Sequence, residues 1–184
     1  MDEVIKTRNY RKHIMKRTLD ICRACHRPRE SLRHIVFGCS HLANGEYLHR
    51  HNQVARTVHQ QLALRFGHID FEIPYYRYDP ASILENSSAL LYWDRTINTD
   101  KYITANRPDI VLVNRSVRRA IIVDITIPHD DNLVKAEKEK VSKYLDLAHE
   151  ITAMWNVEST VVLSRKAFAW LLDQGKNKYP NRRQ

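Results

Sequence analysis

The sequence lacks the long apolar runs, the abundant glycine and the paired cysteines that mark several classes of protein. No stretch of its 184 residues approaches the roughly 18 apolar residues that cross a bilayer, and its first residues are charged where a signal peptide is apolar. Four glycines and 43% apolar residues exclude collagen-like and low-complexity chains. Three cysteines cannot close a disulfide set, which favours an intracellular, reducing compartment and metal binding by clustered thiols. We therefore expect a folded protein with no membrane partner.

The positive charge is concentrated in the first third of the chain. The whole sequence carries 30 basic and 21 acidic residues, a formal charge of +9. Residues 1–67 contain 13 basic and 5 acidic residues, whereas residues 68–184 are almost neutral. This imbalance predicts that the first part binds a polyanion, with a solvated basic face as the alternative. The arginines expected near a nucleic-acid backbone surround the cysteines: Arg23, Arg27, Arg29 and Arg33.

The pattern divides the chain into four parts. They are a basic helical segment at 1–67, a connector at 68–106, an α/β core at 107–164 and an atypical tail at 165–184. The first part begins with a basic helical lead-in over 1–20. Apolar residues at helical spacing predict a longer helix over 46–66, which ends at Gly67. A further short helix is predicted near 81–92, within the connector.

The α/β core is predicted from short β-branched runs. DIVLV at 109–113 and RAIIVDITI at 119–127 indicate two buried strands joined by a five-residue turn, and Pro128 is expected to end the second strand. Polar cap residues then precede a predicted helix over about 131–152. A run at 159–164 predicts one more strand. The core is therefore expected to be a hairpin sheet covered by a helix.

A Cys-Cys-His-Cys cluster predicts a structural zinc site, a zinc knuckle over 22–39. Cys22, Cys25, His34 and Cys39 supply two thiolates from a tight turn and two further ligands after a short loop. Three thiolates and one imidazole form a closed tetrahedral zinc set, with no position left for catalysis. The alternative is three small buried thiols with a core histidine. Two less regularly spaced histidines are alternative ligands: His26 and His41.

Two aspartates of the predicted hairpin form the second constellation. Asp109 follows Pro108 at the start of the first strand, and Asp124 interrupts the apolar run of the second. A turn centred near 116 places Asp109 opposite residue 123 or 124, where facing Cβ atoms lie about 5 Å apart. Carboxylates at that distance repel each other unless a cation joins them or one is protonated. The pair therefore predicts a magnesium site, and the buried charge of Asp124 needs a partner.

A lysine of the following helix points toward these aspartates. On a helical wheel, Lys140 lies at the centre of the apolar stripe of the helix over 131–152. The stripe also contains Leu133, Ala136, Tyr144, Leu147 and Ile151. The other lysines fall on the solvent side or at its margin: Lys135, Lys138 and Lys143. The ammonium of Lys140 is expected to reach Asp109 and Asp124, either beside a bound phosphate or in a purely structural ion pair.

Two carboxylates, a divalent cation and a lysine are suited to phosphodiester hydrolysis. The metal polarises the phosphate and helps to generate hydroxide, and the lysine positions water or stabilises charge in the transition state. Asp109, Asp124 and Lys140 therefore predict a nuclease.

Segments around these residues resemble a known family. RPDIVLV, IIVDITIP and KVSKY resemble the restriction-enzyme-like (PD-D/ExK type) endonuclease domain of site-specific non-long-terminal-repeat retrotransposons. The knuckle followed by YLHRHNQVARTVHQ resembles the segment between reverse transcriptase and endonuclease in those polyproteins, and YWDRTI stands just before RPD. The resemblance covers roughly residues 5–160.

The resemblance implies a fold, an activity and a set of site residues. The fold is α+β or α/β, a Cys-Cys-His-Cys zinc module with helices followed by a restriction-endonuclease-like core at 107–164. The implied activity is nicking of target DNA, which primes reverse transcription of the element's RNA. Asp109 and Asp124 fall on the positions that bind magnesium or manganese, and Lys140 with Tyr144 falls on the K-x-x-K-Y pattern. Structural zinc, DNA and RNA partners, a nuclear location and no small-molecule cofactor are also implied.

The sequence departs from the family's usual pattern at several points. The position two after Asp124 is Thr126 rather than lysine, so the amine has to come from Lys140. The chain contains no polymerase motif, and the tail at 165–184 differs from the family's usual continuation. A non-catalytic nucleic-acid-binding remnant is the alternative function, and a structural zinc protein with a protein partner is a third. Glu85, in the helix predicted near 81–92, is a candidate third acidic ligand.

Overall fold

The computed structural model describes residues 5–16, 19–27, 29–127 and 133–163, which form a mixed α+β fold. The helices are α1 (Arg8–His13), α2 (Leu48–Arg65), α3 (Leu133–Lys143) and α4 (Leu145–Met154). The strands are β1 (Ile83–Glu85), β2 (Ala89–Trp93), β3 (Ile110–Asn114), β4 (Arg119–Val123) and β5 (Ser159–Leu163). The tail at 165–184 and the cap predicted at 129–132 lie outside the described residues.

The part before α2 contains little regular structure. We call its described residues between 5 and 47 the Cys/His module. Thr7 caps α1 by accepting a hydrogen bond from the Tyr10 backbone N–H at 3.2 Å. Short π-helical turns at His34–Gly38 and Ala43–Tyr47, with a 3₁₀ turn at Ser40–Leu42 between them, lead directly into α2. The module is thus continuous with the helix that packs on the sheet.

The five strands form one sheet in the order β1-β2-β3-β4-β5. Strands β1 to β4 form an antiparallel meander, and β5 is parallel to β4 because α3 and α4 cross over between them. In the central hairpin the last aligned pair is Ile110 with Val123. The next residues outward, Asp109 and Asp124, therefore stand at the end of the sheet where β3 begins and β4 ends.

Apolar side chains cover both faces of the sheet. Alternate residues of the strands point to opposite faces, so Ile110 and Leu112 pack on one face and Val111 and Val113 on the other. Helix α2 covers the first face through Ala55, Val58, Leu62 and Ala63. Helix α4 covers the second through Leu147, Ala148 and Ile151, with Tyr144 beside them. The two helices therefore reach the end of the sheet from opposite sides.

Several predictions of secondary structure are confirmed. The helix predicted over 46–66 is found as α2, and the two strands of the predicted hairpin are β3 and β4, with the turn between them. Strand β5 lies where the run at 159–164 predicted it. Asp109 and Asp124 both adjoin the aligned pair of Ile110 and Val123, so they lie at the same end of the hairpin.

Other predictions are wrong. The helix predicted near 81–92 is a hairpin of β1 and β2, because the Asn86 side chain accepts hydrogen bonds from the Ser88 and Ala89 N–H groups and builds a turn. The strand predicted over 119–127 ends at Val123, since the Ile125 N–H donates to the Asp109 carboxylate instead of a neighbouring strand.

The helix predicted over 131–152 is divided in two. Tyr144 departs from helical geometry with φ −105° and ψ 11°, and its buried ring is part of the core. Helix α3 precedes this residue and α4 follows it, so the apolar stripe predicted on one helix is shared between two.

Within the described part of the chain, none of the helices combines the length and the apolar character that a membrane crossing requires.

Candidate functional site

The four predicted zinc ligands converge in the Cys/His module. The ligand atoms of Cys22, Cys25, His34 and Cys39 all lie within 4.8 Å of one another. The sulfurs of Cys22 and Cys39 are 3.9 Å apart, and Cys25 Sγ is 3.2 Å from His34 Nε2. Tetrahedral zinc with bonds of about 2.3 Å separates two thiolates by about 3.8 Å, so the spacing suits that ion. The cluster can therefore hold a metal such as zinc.

The backbone of the module favours a thiolate at this cluster. Burial raises the pKa of the Cys22 thiol, but hydrogen bonds from the backbone of Cys25 and Ala24 lower it further, and the pKa falls to about 6. All three cysteines are free, with Cys22 and Cys39 buried. A buried thiolate needs a cation nearby, and a metal ion supplies one.

A buried carboxylate that the sequence analysis missed organises the module. Glu30 is 1% exposed and receives two hydrogen bonds from the Arg23 guanidinium, at 3.0 and 2.8 Å. The backbone N–H groups of Arg8 and Arg23 also donate to it, both at 2.9 Å. Burial raises the pKa of Glu30, but Arg23 and these donors lower it more strongly, to about 2. Arg23, which was predicted to lie on the surface of the knuckle, is thus paired with Glu30, and its side chain is still 55% exposed.

Tyr47 and Arg50 fasten the module to α2. The Tyr47 hydroxyl accepts a hydrogen bond from the Cys39 N–H at 2.9 Å and donates to the Ile35 carbonyl at 2.6 Å. The Arg50 guanidinium donates to the Val36 carbonyl at 2.9 Å and lies over the Tyr47 ring, 5.2 Å from its centroid. Tyr47, which precedes α2, and Arg50, in its first turn, therefore fix the loop that carries Cys39.

The second predicted constellation lies at the end of the sheet. Lys140 of α3 forms an ion pair with Oδ2 of Asp124, as the helical wheel predicted. The Asp124 side chain is 6% exposed and that of Lys140 is 26% exposed. The pair thus has one buried member and one that reaches solvent, and the buried charge of Asp124 has the partner that it needs.

Tyr144 completes the surroundings of Asp124. Its hydroxyl donates to Asp124 Oδ1 at 3.2 Å and receives a hydrogen bond from Lys143 Nζ at 2.8 Å. Burial, together with the negative charge of Asp124, raises the pKa of Tyr144, so this hydroxyl stays protonated and acts as a donor. Tyr144 was predicted at the site from the family pattern, and the structure places it in contact with the buried aspartate.

Asp109 is held differently, by the backbone and by a histidine that the sequence analysis did not select. Its Oδ2 accepts a hydrogen bond from the Ile125 N–H at 2.6 Å and lies 3.2 Å from His51 Nε2. The carboxylate raises the pKa of His51, and although burial opposes this effect the pKa reaches about 9. His51 comes from α2, on the opposite face of the sheet from Lys140. Only the packing of α2 on the sheet brings His51 to Asp109, so no pattern of neighbouring residues in the sequence could have selected it.

Glu85 is not a third ligand of this site. Glu85 lies on β1, which is two strands away from β3, and its carboxylate pairs with the Arg115 guanidinium. Glu85 aligns with Leu90 of β2, which in turn aligns with Val113 of β3. Val113 is four residues from Asp109, so Glu85 is displaced from Asp109 by about 13 Å along the strand direction. The proposed ligand was based on a helix near 81–92, and the hairpin found there carries the carboxylate to the other end of the sheet.

The structure thus brings Asp109, Asp124, Lys140 and Tyr144 to one end of the sheet and the four metal ligands to one cluster. The Asp109 side chain remains 20% exposed, so the site contacts solvent through Asp109 and Lys140. Oxygen ligands beside an ammonium can bind a hard divalent cation together with a phosphate.

Comparison of the chain with models of protein families, with curated proteins and with solved structures gave no match in any of the three. Fold and site by themselves therefore define a mixed α+β protein with a Cys-Cys-His-Cys cluster that can hold a metal ion.

Proposed function

We propose that the protein is a metal-dependent DNA endonuclease, with the nicking activity of a retrotransposon-derived restriction-enzyme-like domain. The observation that supports the proposal is the convergence of Asp109, Asp124 and Lys140 at one end of the sheet. The predicted hairpin and the further strand at 159–164 are also found, and the predicted covering helix is present as α3 and α4. The role in target-primed reverse transcription and the nuclear location follow only from the sequence resemblance.

The carboxylates suit a magnesium or manganese ion. Aspartate oxygens are the ligands that these hard cations prefer. Among the described residues, Asp109 Oδ1 has no hydrogen-bond partner, since both contacts of this carboxylate involve Oδ2. When bound, the ion would polarise the phosphate and lower the pKa of a bound water. Asp109 and Asp124 would hold it.

The protein's own groups divide the remaining work. Lys140 balances the charge of Asp124, and its flexible stem allows the ammonium to move to a phosphate oxygen once a cation balances that carboxylate. Tyr144 keeps Asp124 oriented by donating to Oδ1, and it cannot act as a base because its pKa is raised. The lysine therefore stabilises charge at the phosphate, and the tyrosine positions the metal ligand.

The Cys/His module is the proposed contact with nucleic acid. Cys22, Cys25, His34 and Cys39 would hold zinc, and the ion would stabilise a surface rich in basic residues. Arg27 and Arg29 are exposed beside the cluster, where they can contact phosphates of DNA or RNA.

Plasmid nicking tests the proposed activity. Supercoiled plasmid incubated with the protein and Mg²⁺ or Mn²⁺ is expected to be nicked, and Asp124→Asn is expected to reduce the rate at least about 100-fold. Asp146→Asn is the matched control, because Asp146 is an exposed aspartate in the first turn of α4. Nicking that is absent from the wild type, or unchanged in Asp124→Asn, contradicts the proposal.

One observation favours a second candidate, a non-catalytic nucleic-acid-binding protein. Lys140 and His51 already balance the charges of Asp124 and Asp109, so the cluster is complete as an ion-pair network. DNA binding without nicking, with an affinity that falls steeply as salt rises, would favour this candidate. In that case, substituting Arg27 and Arg29 with glutamine should weaken binding and reduce its dependence on salt.

A further inference from the structure

His51 makes polar contacts at the end of the sheet, and the proposed mechanism gives this residue no role. Its Nε2 lies 3.2 Å from Asp109 Oδ2 and 3.1 Å from the Ile125 carbonyl oxygen. Both atoms are acceptors, so Nε2 carries a proton and donates to them. The same two residues are joined directly, because the Ile125 N–H donates to Asp109 Oδ2 at 2.6 Å.

We propose that His51 is a positioning residue, which fixes Asp109 and the backbone after Asp124 so that the carboxylates can hold a divalent cation. This inference rests on the proposed function, since it assigns a role at the same site. One donor spans an oxygen from the residue before β3 and a carbonyl just beyond β4. It thereby fixes the relative position of the two segments that carry Asp109 and Asp124.

The contact also determines which oxygen of Asp109 remains for a ligand. His51 and the Ile125 N–H both engage Oδ2, and Oδ1 has no hydrogen-bond partner among the described residues. Groups that bind one oxygen of a metal-ligating carboxylate orient the other, and their loss commonly weakens metal affinity about 10- to 100-fold.

The framework behind His51 is rigid. Four residues along α2, Ala55 is 1% exposed in the core, and Leu62 further along is fully buried. One residue before it, Arg50 is bound to the Val36 carbonyl of the Cys/His module. The His51 side chain is itself only 28% exposed. A ring held in this way keeps its donor at one place, as positioning requires.

The variants are chosen to separate positioning from general stability. His51→Ala removes the donor, whereas His51→Gln keeps an N–H group at nearly the position of Nε2. His49→Ala is the matched control, because His49 is exposed two residues earlier, on the other side of α2, and its side chain hydrogen-bonds to Gln53. Unfolding temperatures of all three identify any variant that is merely unstable.

Two measurements test the role. The first is binding of Mn²⁺ to the zinc-loaded protein by electron paramagnetic resonance, with an Asp109→Asn/Asp124→Asn variant as background. The second is plasmid nicking as a function of Mg²⁺ concentration. We expect His51→Ala to weaken Mn²⁺ binding and to raise the half-saturating Mg²⁺ concentration by about 10- to 100-fold. His51→Gln should bind Mn²⁺ almost as tightly as the wild type and should half-saturate at a similar Mg²⁺ concentration. His49→Ala should match the wild type in both measurements.

The outcomes separate this inference from the proposed function. Wild-type nicking with unchanged metal dependence in His51→Ala overturns the inference and leaves the nuclease. Mn²⁺ binding that weakens in His51→Ala, in a protein that never nicks, supports the inference and overturns the nuclease. Absence of Mn²⁺ binding above the background variant overturns both. Failure of His51→Gln to recover binding, when it folds as stably as the wild type, also contradicts positioning by the donated hydrogen bond.

Discussion

The Cys/His module and the sheet with its covering helices are held together by different forces. Among the described residues of the module, only Thr7, Cys22, Glu30 and Cys39 are buried, and none of them is a large apolar side chain. The sheet has two apolar clusters, one on each face. We therefore expect the stability of the module to depend on charge pairing and on a metal held by the cluster, whereas that of the sheet depends on apolar burial. Their responses to metal removal and to pH should differ accordingly.

Metal removal should have the largest effect, and it should be confined to the module. Structural zinc sites contribute roughly 10 kcal/mol or more of apparent binding free energy, which the few buried groups of the module cannot replace. Chelation, or Cys39→Ser, is expected to leave residues 19–47 unprotected in hydrogen exchange while β3 and β4 stay protected. Ser40→Ala, a change at the exposed neighbouring position, should have little effect. Simultaneous loss of protection in both regions would show that the sheet depends on the module.

A smaller effect, in the sheet region, is expected from acid. Burial lowers the pKa of His59 to about 4, helped by nearby His68, and His59 Nδ1 lies 2.7 Å from the Tyr78 hydroxyl. Because the folded pKa lies below the ordinary value of about 6.5, the stabilisation is present above pH 6.5 and is lost as pH falls toward 4. At pH 4.5 this loss is about 2 to 3 kcal/mol.

Urea unfolding of wild type and His59→Gln at pH 7.5 and 4.5 measures this loss. The wild type should lose about 2 to 3 kcal/mol more of its unfolding free energy than the variant between the two pH values. His149→Gln removes an exposed histidine and should behave as the wild type does. Equal losses in wild type and His59→Gln would mean that His59 is not responsible.

The smallest effect should come from the Glu30 network. Glu30→Gln weakens the charge-assisted hydrogen bonds with Arg23 and should cost about 2 kcal/mol of module stability. Asp20→Asn disturbs the more exposed ion pair with Lys12 and should destabilise the module less than Glu30→Gln does. Rates of zinc release to a chelator compare the variants. Faster release from Asp20→Asn than from Glu30→Gln would reverse this ranking.

Sequence patterns predicted the local elements well where one physical signal dominated. The β-branched runs gave β3, β4 and β5, and the position of the turn placed Asp109 and Asp124 at the same end of the hairpin. The wheel found Lys140 because an apolar stripe continues through α3 and α4 despite the break at Tyr144. The hairpin at 83–93 was missed because its turn depends on hydrogen bonds of the Asn86 side chain, which a helical pattern does not reveal.

The sequence by itself determined the four soft ligands, the two aspartates and the lysine, because spacing along one chain limits where nearby side chains can point. Only the tertiary structure decided that Glu30 organises the Cys/His module and that Glu85 lies far from the aspartates. It also decided that His51 reaches Asp109 from the opposite face of the sheet. These contacts join residues far apart in sequence, and their positions follow from how helices and strands pack to bury apolar surface.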